Sequence, residues 1–143
     1  MRGVARAPFT AADFDRPFGL PTDSVEITLD VPMPTSANRL WRRNRNSIKP
    51  FISKEYLAWK EEADMTVMAA RQFPKLKIHG PYEMTVLLST AHRGDGDNRL
   101  KAIGDWLQSR DIVRNDSDCR RGSWVWVTPE CAPRGCRVIV RSL

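Results

Sequence analysis

Val25-Glu26-Ile27-Thr28-Leu29-Asp30-Val31 alternates apolar and polar side chains and runs into Pro32 and Pro34. A period of two puts every apolar side chain on one face of an extended chain, so a half-buried strand is predicted over 25–31. From Ser53 the period changes. Tyr56 or Leu57, Ala63, Val67 and Ala70 recur at helical spacing behind a residue suited to the N-cap, which predicts a helix from 53 to about 71, closed off before Pro74. After the turn at Gly80-Pro81, Tyr82–Ser89 predicts a second strand, and the unbroken run Val86-Leu87-Leu88 marks it as a central one. Leu100, Ile103 and Leu107, spaced by three and four, predict a second helix over roughly 98–109, with Asp97 or Asn98 as its cap. Two more strands, at Trp124–Val127 and Arg137–Val140, flank a loop containing Pro129, Pro133 and Gly135.

Strands and helices alternate without segregating, so the expected class is α/β (α+β): a single domain with one mixed sheet packed by two main helices. Residues 1–24 show neither period and carry Pro8, Pro17, Gly19 and Pro21, which reads as a loosely held tail before a domain at 25–143. A length of 143 residues with 41% hydrophobic content supports one core.

A formal charge of +6 favours an acidic partner chiefly where it is concentrated, and it is concentrated. Between Asn38 and Lys54 stand Arg39, Arg42, Arg43, Arg45, Lys49 and Lys54, with no acidic residue and with Trp41 and Phe51 interleaved. Such a segment can grip phosphates while its aromatics meet bases. A solvated basic loop has the same composition. No stretch approaches the roughly 18 apolar residues of a membrane span, and MRGVARAPFT lacks the apolar run of a signal peptide, so a cytoplasmic protein without a membrane partner is expected. Three cysteines without a CxxC pair, and His79 and His92 far from zinc spacing, argue against a disulfide framework or a zinc site.

The chemistry is concentrated in Arg93-Gly94-Asp95-Gly96-Asp97-Asn98-Arg99-Leu100-Lys101, between the second strand and the second helix. Carboxylates two apart in an extended chain project to one side and repel each other, and a hard divalent cation such as Mg2+ relieves that repulsion through oxygen ligands. Lys101, one turn after Asp97, is placed to neutralise phosphate charge, and the start of the helix favours an anion. Asp105, a further turn on, is either a fourth acid or the partner of Lys101. Asn115-Asp116-Ser117-Asp118 offers a third carboxylate from another element, with Asp116 preferred and Asp118 in reserve. Taken alone, DGDN is also ordinary turn chemistry. An EF-hand is excluded, because Leu100 stands where that loop needs Gly and Trp106 where it needs Glu.

The combined string DGDNRLKAIGDWLQSRDIVRNDSD resembles the signature of the RusA family of Holliday junction resolvases, and Ser36-Ala37-Asn38-Arg39-Leu40-Trp41-Arg42-Arg43 followed by ISKEYLAWK is similar to that family's first segment. The resemblance spans roughly residues 25–143. It implies metal-binding aspartates at Asp95, Asp97 and Asp116 and an essential lysine at Lys101. It also implies a homodimer dependent on Mg2+ or Mn2+ that makes paired nicks across four-way DNA junctions in recombination and repair. Arg39, Arg42, Arg43, Arg45, Lys54, Arg93 and Asn98 are the expected DNA contacts. Asn115 stands where the family often has a second aspartate, and Asp111 where it often has glycine. The alternatives are a structure-selective or general DNA nuclease and a non-catalytic junction-binding module. Trp124 and Trp126, on one side of their strand, are expected in the core or a dimer interface.

Overall fold

The alternating first segment forms strand β1, Glu26–Val31, with Ile27, Leu29 and Val31 buried as the period of two requires. The coordinates are a computed structural model that describes residues 25–35, 41–43 and 50–143, and of 41–43 and 50–52 the backbone alone. Strand β2 (Trp41–Arg43) and strand β3 (Pro50–Ile52) pair antiparallel as a small separate sheet, in a segment where no strand was expected. Helix α1 follows at Lys54–Ala69, with Ser53 Oγ accepting the Tyr56 N–H at 3.2 Å as its N-cap.

The stripe that α1 buries is Tyr56, Trp59, Ala63 and Val67. Of the two residues offered for its first position, Tyr56 is buried and Leu57 is 49% exposed, while Ala70 is the exposed C-cap, which corrects the expected stripe at its far end. Successive helical residues are about 100° apart, so the stripe that includes Trp59 turns Leu57 to solvent. Trp59 also ties the helix to the end of β1, its indole N–H donating to the Pro32 carbonyl at 2.9 Å.

Strand β4 is Tyr82–Ser89, helix α2 is Leu100–Ser109, strand β5 is Cys119–Val127 and strand β6 is Cys136–Ser142. The main sheet runs β1-β6-β4-β5, with β6 antiparallel to both neighbours and β5 parallel to β4. This confirms one mixed sheet with two helices and a central β4. Parallel neighbours need a crossover, and α2 supplies it, burying Ala102, Ile103, Trp106 and Leu107. The crossover matters because its first half, between β4 and α2, carries the DGD sequence. No helix among the described residues is long and apolar enough to cross a membrane.

Two local expectations are corrected. Neither Asp97 nor Asn98 caps α2, which is preceded by a 3-10 turn at Asp97–Arg99 and has no side-chain cap bond at its start. Gly96, Arg99 and Leu100 all have right-handed helical backbone, so the chain enters the helix already coiled and offers no extended residue to cap it. Strand β5 begins five residues before the predicted Trp124. It is an edge strand whose residues from Arg120 to Val125 are all exposed, so its polar first half has no buried face to announce it.

A charged tie joins β1, the end of α1 and β6. Arg137 Nε donates to Asp30 Oδ1 at 2.8 Å, and Gln72 Nε2 to Asp30 Oδ2 at 2.9 Å, while the Asp30 N–H donates to Gln72 Oε1 at 2.8 Å. Burial pushes the Asp30 carboxyl up, but the bonds from Arg137 and Gln72 outweigh it and hold the group below the usual carboxylate range. A depressed carboxyl stabilises the fold above its unfolded value, and the contribution is lost as pH falls through the folded one. Asp30→Ala is expected to cost about 1.5–3 kcal/mol near neutral pH, the range for hydrogen bonds to charged groups. Denaturant titrations should show that deficit shrinking once the pH falls below about 3.9, the ordinary aspartate value.

Candidate active site

Leaving β4, the chain is pinned by the Ser89 N–H on the Gly135 carbonyl and the Thr90 N–H on the Val127 carbonyl, both at 2.9 Å. It then forms a tight loop whose two glycines stand on either side of Asp95. Gly94 has φ +119°, and a Cβ there would lie 2.7 Å from an Arg99 guanidinium nitrogen. That guanidinium donates to the carbonyls of Pro34 and Arg93, the latter at 2.9 Å, and so fastens the loop to the segment after β1. Gly96 is buried against the indole of Trp124, and a Cβ there would lie 2.6 Å from Trp124 Cδ2 and 2.7 Å from Cζ3. Glycine is required at 96 because the ring occupies the place of a side chain.

Asp95 and Asp97 both reach solvent from this loop, and Asn98 Nδ2 donates to Asp95 Oδ2 at 3.2 Å. Asn98 is one of the residues expected on DNA. It is half-buried, and its amide is turned to the neighbouring carboxylate.

One helical turn along, Lys101 Nζ lies between two carboxylates, 3.1 Å from Asp105 and 3.0 Å from Asp116. Asp116 opens a 3-10 turn, Asp116–Asp118, capped by Asn115 Oδ1 accepting the Ser117 N–H at 2.9 Å. Its own N–H donates to Gln108 Oε1 at 2.9 Å. The Lys101 ammonium holds the Asp116 carboxyl below the usual range, and Asp116 in turn raises Lys101. Burial pushes Asp105 up against the opposing pull of Lys101, so of this pair Asp105 is the one that protonates more readily. A cavity of about 200 Å3 opens beside Lys101 and Asp116, walled by Tyr82, Met84, Leu100 and Cys119.

Asp118, by contrast, is held by Arg114, whose Nε and Nη2 donate to it at 3.1 and 3.2 Å. Lys101 and Asp116 are therefore brought together, with Asp105 as the third member. Among the described residues no three acidic, histidine or cysteine side chains are gathered closely enough to hold a metal ion, so Asp95, Asp97 and Asp116 do not converge as one cluster. Three carboxylates without a cation repel one another, and here Lys101 is the positive charge that Asp116 faces. The donor set, all carboxylate oxygen, fits a hard divalent cation.

The model of one protein family, Endodeoxyribonuclease RusA, matches residues 30–134, well over half of the chain, and that span contains Asp95, Asp97, Lys101 and Asp116. The chain belongs to the RusA endodeoxyribonuclease family. No curated protein matches it. The RusA signature residues lie in the β4–α2 crossover and at the entry to β5, two segments joined by the bond from Lys101 to Asp116.

Of the basic residues expected on DNA, Lys54 is the exposed first residue of α1 and Arg93 is exposed in the loop that leads to Asp95. Arg39 and Arg45 lie outside the described residues, as do Lys49, the tail at 1–24 and the side chains of Arg42 and Arg43. Of the two places expected for Trp124, core or dimer interface, the core is ruled out: the residue is 39% exposed and its ring lies against Gly96. Trp126 is half-buried and packs on the core edge, its ring 6.5 Å from that of Trp124 at 79°. Sequence reading missed Trp124 and Arg99 as supports of the loop. The available signal was the pair of glycines around Asp95, since a glycine in an otherwise specified turn marks a close approach.

Proposed function

We propose that this RusA-family chain resolves four-way DNA junctions as a homodimer in recombination and repair, using Mg2+ or Mn2+ held by Asp95, Asp97 and Asp116. The observation that carries this reading is the ammonium of Lys101 between Asp105 and Asp116, one turn from the exposed Asp97. An anionic site that already draws in a cation suits a divalent ion and, through it, a phosphate. When bound, the metal supplies Lewis-acid polarisation of the phosphodiester and an activated water. Lys101 neutralises charge as it grows on the phosphate, and Asp105 keeps the ammonium in place between turnovers. Arg93 and Lys54, with Arg39, Arg42, Arg43 and Arg45, grip the phosphate backbone. Two identical sites in a twofold dimer match a junction with two symmetric strands to cut.

The deciding experiment incubates purified protein with a synthetic four-way junction or a linear duplex, in Mg2+ or EDTA. Paired symmetric nicks in the junction alone, abolished by EDTA, are expected. Equal cutting of the duplex makes the chain a general nuclease, and junction binding without cleavage in either condition makes it a non-catalytic module.

A further inference from the structure

We infer that Trp124 is a positioning residue of the metal site, its indole fixing the backbone between Asp95 and Asp97 and so setting how the two carboxylates face a shared cation. The inference rests on the metal-site reading above and extends it to a residue outside the aspartates and lysine. Trp124 projects from β5 at the register opposite Val86, and its ring lies against Gly96, the one residue separating the two acids. At 39% exposure the ring is not placed to fill the core. Trp126 meets it edge to face on one side, so the indole is held as well as holding.

The physical need for such a support follows from Gly96 itself. Glycine has the widest choice of backbone conformations, and a turn of φ or ψ at 96 swings Asp95 relative to Asp97. Two carboxylates that must share one ion therefore need an external constraint at that residue, and the constraint has to approach closer than any Cβ allows. The indole does so from one side of Asp95, and the Arg99 guanidinium, across Gly94, does so from the other. Groups that orient metal ligands without touching the metal typically contribute about 10–100-fold in metal affinity.

The test measures Mn2+ affinity of the full chain without DNA, by calorimetry or by the electron paramagnetic resonance of free Mn2+. Trp124→Ala is expected to weaken binding by about 10–100-fold, and Trp124→Phe, which keeps a ring over Gly96, to recover most of it. Gly96→Ala introduces a methyl where the indole lies, so it should weaken binding strongly in the wild-type background and far less once Trp124 is alanine. That non-additivity marks direct coupling between positions 96 and 124. Near-UV circular dichroism from the buried Trp59 and Trp106 reports on folding, and Trp124→Leu serves if the alanine variant does not fold. Unchanged Mn2+ affinity in folded Trp124→Ala, or additive effects of the two substitutions, overturns the role of Trp124 while leaving the metal site standing. Wild-type protein that binds no Mn2+ overturns the metal-site reading and this inference with it.

Discussion

Asp97→Asn is expected to abolish cleavage of a four-way junction while binding stays intact or tightens. Asparagine keeps the shape of the side chain at the start of the 3-10 turn but gives up the charge that a hard cation requires. It also removes a negative charge from a solvent-facing loop on which the phosphate must settle. Metal stabilisation of the transition state amounts to several kcal/mol, and each 1.36 kcal/mol is about tenfold in rate, so the loss should reach roughly three orders of magnitude or more. Single-turnover cleavage beside a gel-shift titration separates the two effects. Loss of binding in step with activity would make Asp97 structural instead. Asp116→Asn should behave like Asp97→Asn, whereas Asp118→Asn should remain active because that carboxylate is engaged by Arg114. An inactive Asp118→Asn beside an active Asp116→Asn would reverse the assignment of the third ligand.

Lys101→Ala is expected to slow cleavage of bound junction by about a hundred- to a thousandfold, some 2.7–4 kcal/mol, while weakening binding much less. The reason lies in timing. In the free protein the ammonium is shared between Asp105 and Asp116, so little of its charge is available to a ground-state phosphate. Its contribution grows with the charge that develops as the phosphodiester breaks, and an interaction stronger in the transition state lowers the rate constant more than the affinity when it is lost. Lys101→Arg should recover only part of the rate, because a planar guanidinium cannot occupy the same point between two carboxylates as a compact ammonium. A near-normal single-turnover rate with weakened binding would reduce Lys101 to an ordinary phosphate contact.

Legibility in the sequence followed the range of the contacts concerned. Strand β4 was readable to the residue because its interior position buries much of both faces, and an unbroken apolar run has few other uses. The first half of β5 was not, since Arg121, Gly122 and Ser123 pair with β4 from the exposed edge of the sheet, Arg120 falls at a shift of register, and none of the four carries an apolar signal. On α1, Tyr56 and Leu57 were interchangeable on periodicity. The buried position of Trp59, with its bond to Pro32, decides between them. In the site, the spacing of Asp95, Asp97, Lys101 and Asp105 is local and could be read directly, and the bridge from Lys101 to Asp116 links groups already singled out. The seat of Trp124 on Gly96 joins residues far apart in the chain through a shape, and no period encodes a shape.

The sheet order also governs when the protein can fold during its own synthesis. β1 lies at one edge of the main sheet with β6 as its neighbour, residue 26 opposite 141 and 31 opposite 136. β1 thus waits for β6, which is made only after every other described strand of the sheet. At about 5–20 residues per second that wait is on the order of ten seconds. Throughout it Ile27, Leu29 and Val31 have no β6 to pair with, and β4 lacks the neighbour that joins it to β1. A ribosome that stalls short of Cys136 therefore holds a chain with its signature acids already made and its sheet still open, a substrate for chaperones and proteases rather than a partly active enzyme.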